Sequence, residues 1–346
     1  MNLSDFLYDL PAKLIAQHPV VPRDSSRLLL LPEDGNPEHR KFMELPGLLK
    51  AGDLLVVNDS RVIPVRLPGK RGGGGKAEVF LLQPTGGNGC WEALVKPAKK
   101  LKTGSMVFFS PGKAVEIVGE LGDGRVAVRS ISDDTIEDIM RETGKIPLPP
   151  YINREAEEAD RRRYQTVYAR KGTSVAAPTA GLHFTPRVLA AVRKRGVETA
   201  AVRLDVGPGT FKPVKTERVE DHVMHEERYF ILPETATAVN RAIEEKRRIV
   251  AVGTTVTRCL EDQALRFDRL RAGEFTTDLF ILPGFRFNFV SGLLTNFHLP
   301  GSTLLMLVSA FAGRQRVLDA YSEAISMNYR FYSYGDAMFT WRRGKS

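Results

Sequence analysis

The sequence predicts a mixed α/β protein in which a larger α/β domain is interrupted by a smaller β-barrel. Three observations carry this reading. Short apolar runs at Arg27 to Leu31, Leu54 to Val57 and Arg248 to Val252 are buried-strand candidates, and they alternate with amphipathic helical segments. Between about Val62 and Ile139 the texture changes to short alternating segments punctuated by glycine, the pattern of a small barrel or sandwich. The chain has 346 residues, too many for one small core. The expected division is a discontinuous main domain, residues 1–61 and 145–346, around an inserted barrel of residues 62–144.

Composition narrows the function classes. Hydrophobic residues make up 42%, ordinary for a protein with a sizeable core. No apolar run is long enough to cross a bilayer, and Met1 to Asp5 lacks the basic and apolar regions of a secretion signal. Cys90 and Cys259 stand far apart without partners at metal-ligand spacing, so neither a disulfide framework nor a zinc site is expected. A reducing cytoplasm is the expected location. The formal net charge of +9 favours a polyanionic partner such as nucleic acid. Its bases are dispersed, at Lys70-Arg71, Lys96 to Lys102, Arg161 to Arg163, Arg193 to Arg195, Lys246 to Arg248 and Arg342 to Lys345.

The N-terminal part opens with an amphipathic segment, Asp5 to Ala16, and Pro19 and Pro22 then force an extended stretch. Arg27 to Leu31 and Leu54 to Val57 read as buried strands, with a helical turn at Leu45 to Leu49 between them. The second strand ends in Asn58-Asp59-Ser60-Arg61. Polar groups at strand ends often contact ligands, so Asn58, Asp59 and Arg61 are binding candidates. A turn closed by Asn and Asp side chains is the alternative.

Barrel strands are expected at Ala77 to Leu82, Trp91 to Val95, Met106 to Phe109, Ala114 to Val118 and Arg125 to Arg129. Gly72 to Gly75 and Gly86 to Gly89 are turns; the first lacks the Gly-Lys-Ser/Thr ending of a phosphate loop. Thr135 to Thr143 is a helix stopped by Gly144. Lys145 to Ile152 carries three prolines and makes a rigid return crossing.

Val175 to Thr185 is uncharged and built from small residues, with Pro178, Gly181 and one histidine. Thr179 and Gly181 are candidate contacts to a substrate, since small residues admit close approach and glycine permits a positive φ. Thr185-Pro186 is an N-cap followed by proline at the first helical position, which puts His183 just before a helix start. A buried loop with a hydrogen-bonded core histidine is the competing reading. Val197 to Val206 alternates as a strand and runs into a turn at Gly207 to Phe211. His222 and His225 would share a face if helical. No His-Glu-x-x-His pattern accompanies them, so pairing with carboxylates, which poises a proton carrier, is simpler than a metal site.

Pro233 to Lys246 reads as a helix and Arg248 to Val252 as a strand. The strand runs through Gly253-Thr254-Thr255 into a helix carrying Arg258, an arrangement suited to anions. Thr254, Thr255 and Arg258 are binding candidates on that ground. Asp278 to Leu282 is expected as a further strand. Leu293 to Thr303 repeats the earlier design, with His298 before Pro300, Gly301 and an apolar helix, Leu304 to Ala312. Tyr329 to Met338 closes the chain with aromatics suited to the core and adds Asp336 as a binding candidate.

Several of these segments together resemble a known family. Lys145 to Ile152, Tyr164 to Ala169, Val175 to Thr185, Asp221 to His225, Val252 to Thr255, Thr295 to Ser309 and Tyr329 to Met338 are similar, in order, to the S-adenosylmethionine:tRNA ribosyltransferase-isomerases of the queuosine pathway. Two places depart from the pattern. Asp205 stands where the family's Leu-His-Val-Gly-Ala-Gly-Thr-Phe segment has histidine, with Pro208 for its alanine. Val256-Thr257-Arg258-Cys259 replaces Ser-Val-Arg-Thr.

The resemblance implies a mixed α/β domain with a separate barrel. It implies transfer and isomerisation of the ribosyl part of S-adenosylmethionine onto the aminomethyl group of 7-aminomethyl-7-deazaguanine in a tRNA anticodon. The product is epoxyqueuosine, and adenine and methionine leave. S-adenosylmethionine is consumed as substrate, so no cofactor and no metal are expected; tRNA is the macromolecular partner, and the chain is expected to be a monomer without membrane contact. Such chemistry needs a base beside the sulfonium-bearing ribose carbon and a proton donor at adenine, work suited to histidine. His183 and His298 are the first candidates to line the reacting centre, and His222 and His225 the next. A non-catalytic RNA-binding protein is the alternative. A methyltransferase is a third reading, but no glycine-rich strand-turn-helix near the N-terminus supports it.

Overall fold

The computed structural model describes residues 1–86, 89–207, 214 and 216–342. The turn expected at Gly207 to Phe211 lies outside the described residues beyond Gly207, as do the middle of the Gly86 to Gly89 turn and the basic residues after Arg342.

A nine-stranded sheet forms the main body. From one edge to the other its strands are Gly273–Thr277, Glu227–Ile231, Glu198–Leu204, Leu54–Asn58, Ile249–Val252, Gly292–Asn296, Ala337–Trp341, Arg27–Leu31 and Glu38–Lys41. The four from Glu198–Leu204 to Gly292–Asn296 are parallel. A parallel sheet must be covered on both faces, which is why its strands are continuous apolar runs. Side chains alternate between the faces. Leu54 and Val56 enter the core formed with the helices Pro233–Glu244, Thr254–Phe267 and Thr303–Ala312. Leu55 and Val57 pack instead with Phe42, Phe184 and the helix Pro186–Lys194.

Residues 66–130 hold six antiparallel strands that close into a barrel. Around the barrel they are Arg125–Ser130, Cys90–Lys96, Lys76–Pro84, Arg66–Arg71, Met106–Ser110 and Lys113–Gly122. Their inward residues, among them Leu67, Val79, Leu81, Trp91 and Ile117, make a core of their own that also takes Ile136 and Ile139 of the helix Ile136–Thr143. That helix begins as its residues require: the Thr135 hydroxyl accepts from the Asp138 amide at 3.1 Å.

Two differences from expectation bear on how the barrel and the sheet edge are built. Arg66–Arg71 is a strand although Arg-Leu-Pro-Gly-Lys-Arg offers one aliphatic residue; Gly69 is needed there because a Cβ would lie 2.6 Å from the Phe108 carbonyl oxygen. The strand expected at Asp278 to Leu282 is absent, and Gly273–Thr277 supplies the sheet edge instead. Its register opposite Glu227–Ile231 stacks Phe275 on Tyr229 with ring centres 5.5 Å apart, a cross-strand gain.

Candidate active site

Strand direction gathers the polar candidates at one rim of the sheet. The parallel strands deliver Asn58, Asp205, Gly253 and the His298 loop at their carboxyl ends. Strands running the other way, or starting there, bring Glu227, Asp336 and Ser26 to the same rim. Ligands of open α/β sheets bind outside the carboxyl ends of the strands, so this rim is where a site belongs. Gly253 turns strand into helix at φ 96°, a conformation costly for any other residue.

His183 lies on this rim but is enclosed. Its Nδ1 is 2.8 Å from Ser26 Oγ, its Nε2 is 3.2 Å from Asn296 Nδ2, and its ring stacks on Phe42 at 5.0 Å. Burial, with help from the positive charges of Arg330 and Arg23, pushes its pKa down to about 3. It lines a narrow cleft of about 10 Å³ together with Arg23 and Arg163.

His298 is buried in a different setting. Its Nε2 is 2.7 Å from Thr295 Oγ1, and its main chain is held by Tyr8, whose hydroxyl donates to the carbonyl, and by Tyr321, whose hydroxyl accepts from the amide at 3.1 Å. Burial alone lowers its pKa to about 3. The His183 and His298 loops meet where Asn296 reaches His183 at 3.2 Å, and the Tyr332 amide ties the C-terminal segment to the Phe297 carbonyl at 3.2 Å. The two rings have separate surroundings: His298 does not line the cleft beside His183.

His222 and His225 are placed otherwise. The helix that would put them on one face is missing; a 3-10 turn stops at Asp221 and residues 222–226 are irregular. Both nevertheless line a cavity of about 1100 Å³ between the barrel and the main domain. Its barrel wall includes Gln83, Glu92 and Arg125, and its main-domain wall includes Arg203, Asp205, Glu227, Arg258 and Phe280. Burial and the neighbouring His225 lower the His222 pKa, so His222 is a neutral proton acceptor near pH 7. The Phe280 ring meets it edge to face at 5.7 Å.

Arg258 stands on the cavity wall, in a buried ion pair with Glu227, and its Nε donates to the Leu279 carbonyl at 3.0 Å. The other binding candidates divide. Asp59 is buried and pairs with Arg203 at 3.3 Å, so it acts on the cavity through that guanidinium; burial raises its pKa despite the arginine. Thr254 is buried at the helix start, and the Thr255 hydroxyl beside it is enclosed with no hydrogen-bond partner among the described residues. Asn58 is spent on structure, accepting from the Ser60 and Leu204 amides and donating to the Leu204 carbonyl at 3.0 Å. Asp336 accepts from the Arg27 and Arg330 amides at 2.9 Å. Arg61 is exposed and Thr179 half-buried, and neither lines the cavity. Gly181 does not use a positive φ; it is small because a Cβ would lie 2.1 Å from the Tyr168 hydroxyl.

The profile of a family described as queuosine biosynthesis protein matches residues 3–340. An S-adenosylmethionine:tRNA ribosyltransferase-isomerase of Desulfitobacterium hafniense is 50% identical over 341 residues, covering 98% of this chain and 99% of that protein. A protein of the same name from Moorella thermoacetica is 50% identical over 343 residues, with the same coverage. The crystal structure of S-adenosylmethionine tRNA ribosyltransferase from Thermotoga maritima is 37% identical, covers 97% of this chain and 99% of its own, and superposes with a TM-score of 0.55. The chain belongs to the queuosine biosynthesis protein family.

In this queuosine biosynthesis protein, several cavity residues escaped the sequence reading. Arg203 was hidden in a strand pattern and Glu227 at a strand start; the barrel residues Gln83, Glu92 and Arg125 carry no sequence signal of a shared wall. Asp205, the position where the family pattern has histidine, faces the cavity and accepts from the Ser60 hydroxyl. Among the described residues no group of three or more His, Cys, Asp or Glu is placed to hold a metal ion. No helix among them is long and apolar enough to cross a membrane.

Proposed function

We propose that the chain transfers and isomerises the ribosyl part of S-adenosylmethionine onto the aminomethyl group of 7-aminomethyl-7-deazaguanine in a tRNA anticodon. Epoxyqueuosine-tRNA, adenine and methionine are the products. The observation that carries the reading is the cavity of about 1100 Å³ at the strand ends, bounded by both domains and lined by two histidines, arginines and carboxylates. It is roomy enough for a nucleoside-sized donor beside an extruded base.

The residues suit the chemistry. A base must take a proton from the ribose carbon bonded to sulfonium, and neutral His222 is fitted to accept it. His225 beside it is the second proton carrier, available to adenine as it leaves. Arg203 and Arg258 supply positive charge for the methionyl carboxylate, the second held rigid by Glu227 and the Leu279 carbonyl. His183 and His298 are positioning residues in this reading. Their low pKa values keep them neutral, and their hydrogen bonds fix the two loops against the sheet rim. In this reading the donor is consumed, no cofactor is retained, and the chain acts as a monomer.

The test is incubation with S-adenosylmethionine and tRNA carrying the deazaguanine. Free adenine and the new nucleoside support the reading. S-adenosylhomocysteine would mean methyl transfer, and no product would mean binding without catalysis.

A further inference from the structure

The cleft beside His183 is cationic to a degree that its surroundings do not balance. Arg23 donates to the carbonyls of Gln165 and Arg162 at 2.9 and 3.1 Å, and Arg163 donates to the Val20 carbonyl. Arg330 donates to the His18 and Tyr334 carbonyls at 3.0 and 2.8 Å. Neutral carbonyls hold the Arg23 and Arg163 forks in place without cancelling their charge, whereas Arg330 is paired with Asp336 and lies outside the cleft lining. No carboxylate lines the cleft. The acids nearby are engaged elsewhere: Asp24 with Arg187 at 3.0 Å, Asp160 with Arg154 at 2.6 Å, and Asp336 with main-chain amides and with the guanidinium groups of Arg27 and Arg330 at 3.4 and 4.0 Å. Arg23 and Arg163 have no ion pair among the described residues. Like charges held together in a half-buried place are unfavourable unless an anion joins them. The crowding registers in the groups themselves, since burial and Arg163 lower the Arg23 pKa.

We infer that the cleft of Arg23 and Arg163 seats a backbone phosphate of the RNA substrate, at a point separate from the cavity where the donor reacts. Planar guanidinium forks match a phosphodiester, and exposed Arg162 at its border extends the basic track. The cleft holds about 10 Å³ and shares no lining residue with the large cavity, so it fits a phosphate oxygen and not a nucleoside. His183 lines the cleft, which ties RNA docking to the loop on the sheet rim. The identity of the polyanion as RNA rests on the function proposed above.

The experiment is fluorescence anisotropy of a labelled anticodon stem-loop, without S-adenosylmethionine, between about 50 and 200 mM KCl. The proteins are wild type, Arg163→Gln, Arg163→Lys and Arg23→Gln, each checked by thermal unfolding. Arg163→Gln should weaken binding several-fold and lower the salt slope by about one, the loss of one phosphate contact. Arg163→Lys should keep the slope, because it keeps the charge. Arg163 has a single main-chain contact, so its variants carry the test where Arg23→Gln unfolds. A folded Arg163→Gln protein with wild-type affinity and slope overturns the inference. So does tight binding of inorganic phosphate, sensed by the Arg163 variants, with RNA affinity unaffected; the cleft would then serve a free anion. Binding is read apart from turnover, so a lost slope in a protein that releases no adenine would retain this site and refute the reaction.

Discussion

Asn296 donates its side-chain amide to His183 Nε2 across 3.2 Å, joining the two histidine-bearing loops. The same Nδ2 faces the Tyr332 and Asp336 carbonyls at 3.0 and 3.3 Å, which fixes the amide's orientation. Nε2 is therefore the acceptor, and Nδ1 carries the proton towards Ser26 Oγ. A ring with both nitrogens engaged and little room beside it positions its neighbours rather than exchanging protons. His183→Gln should thus lower thermal stability, and should lower turnover by no more than about tenfold. A loss of about 10²–10⁴-fold in kcat, the range of a general acid or base, would assign it the reaction instead.

His222→Asn and His225→Asn should each lower kcat by about 10²-fold or more and leave RNA affinity unchanged. Since the His222 pKa is depressed, its protonation falls on the acid side of the usual histidine range. The acid limb of the kcat profile should lie there and vanish in His222→Asn. Single-turnover adenine release across pH measures both.

Burial of two neutral imidazoles links stability to acid. Both have folded pKa values of about 3 against an ordinary 6.5. Between those values the unfolded chain takes up the protons and the folded chain does not, so stability is complete above about pH 6.5 and falls as pH drops towards 3. Each histidine contributes about 1.4 kcal/mol per pH unit in that window. His298→Asn should flatten the slope of unfolding free energy against pH by about that much, as urea titrations at pH 6.5 and 5 would show.

Gly181→Ala should destabilise by about 1–3 kcal/mol, because the new Cβ would lie 2.1 Å from the Tyr168 hydroxyl and 2.8 Å from Thr166 Cγ2. That hydroxyl has no hydrogen-bond partner among the described residues. Tyr168→Phe should therefore cost little alone and restore much of what Gly181→Ala loses. Additive losses in a double-mutant cycle would contradict the contact.

Arg258→Ala takes the guanidinium from buried Glu227 and should cost roughly 3–5 kcal/mol. Arg258→Met with Glu227→Gln should cost markedly less, because no buried charge is stranded. Chemical denaturation of the three proteins compares them.

Much of the fold was legible in the residues. The apolar runs at Arg27 to Leu31 and Leu54 to Val57 became strands inside the sheet, because a four-residue apolar run fits only where both faces are covered. Thr185-Pro186 became a capped helix, the Thr185 hydroxyl accepting from the Val188 amide at 3.2 Å, since capping is local chemistry. Glycine punctuation announced the barrel. The strand Arg66–Arg71 was not visible, because what holds it is pairing with Lys76–Pro84 and Met106–Ser110 rather than its own pattern.

The sequence by itself determined the family, the α/β body with its barrel, and the kinds of side chain available for proton transfer and anion binding. Those follow from local propensity, periodicity and motif order, each contained in a few consecutive residues. Only the tertiary structure decided which histidines face open space. His222 and His225 reached the cavity and His183 and His298 were enclosed because exposure depends on residues brought from far along the chain: Gln83 and Arg125 to one wall, Ser26, Phe42 and Asn296 around one ring. Neither burial nor the pKa it sets is written in the neighbours of a histidine, because both are properties of the packing around it.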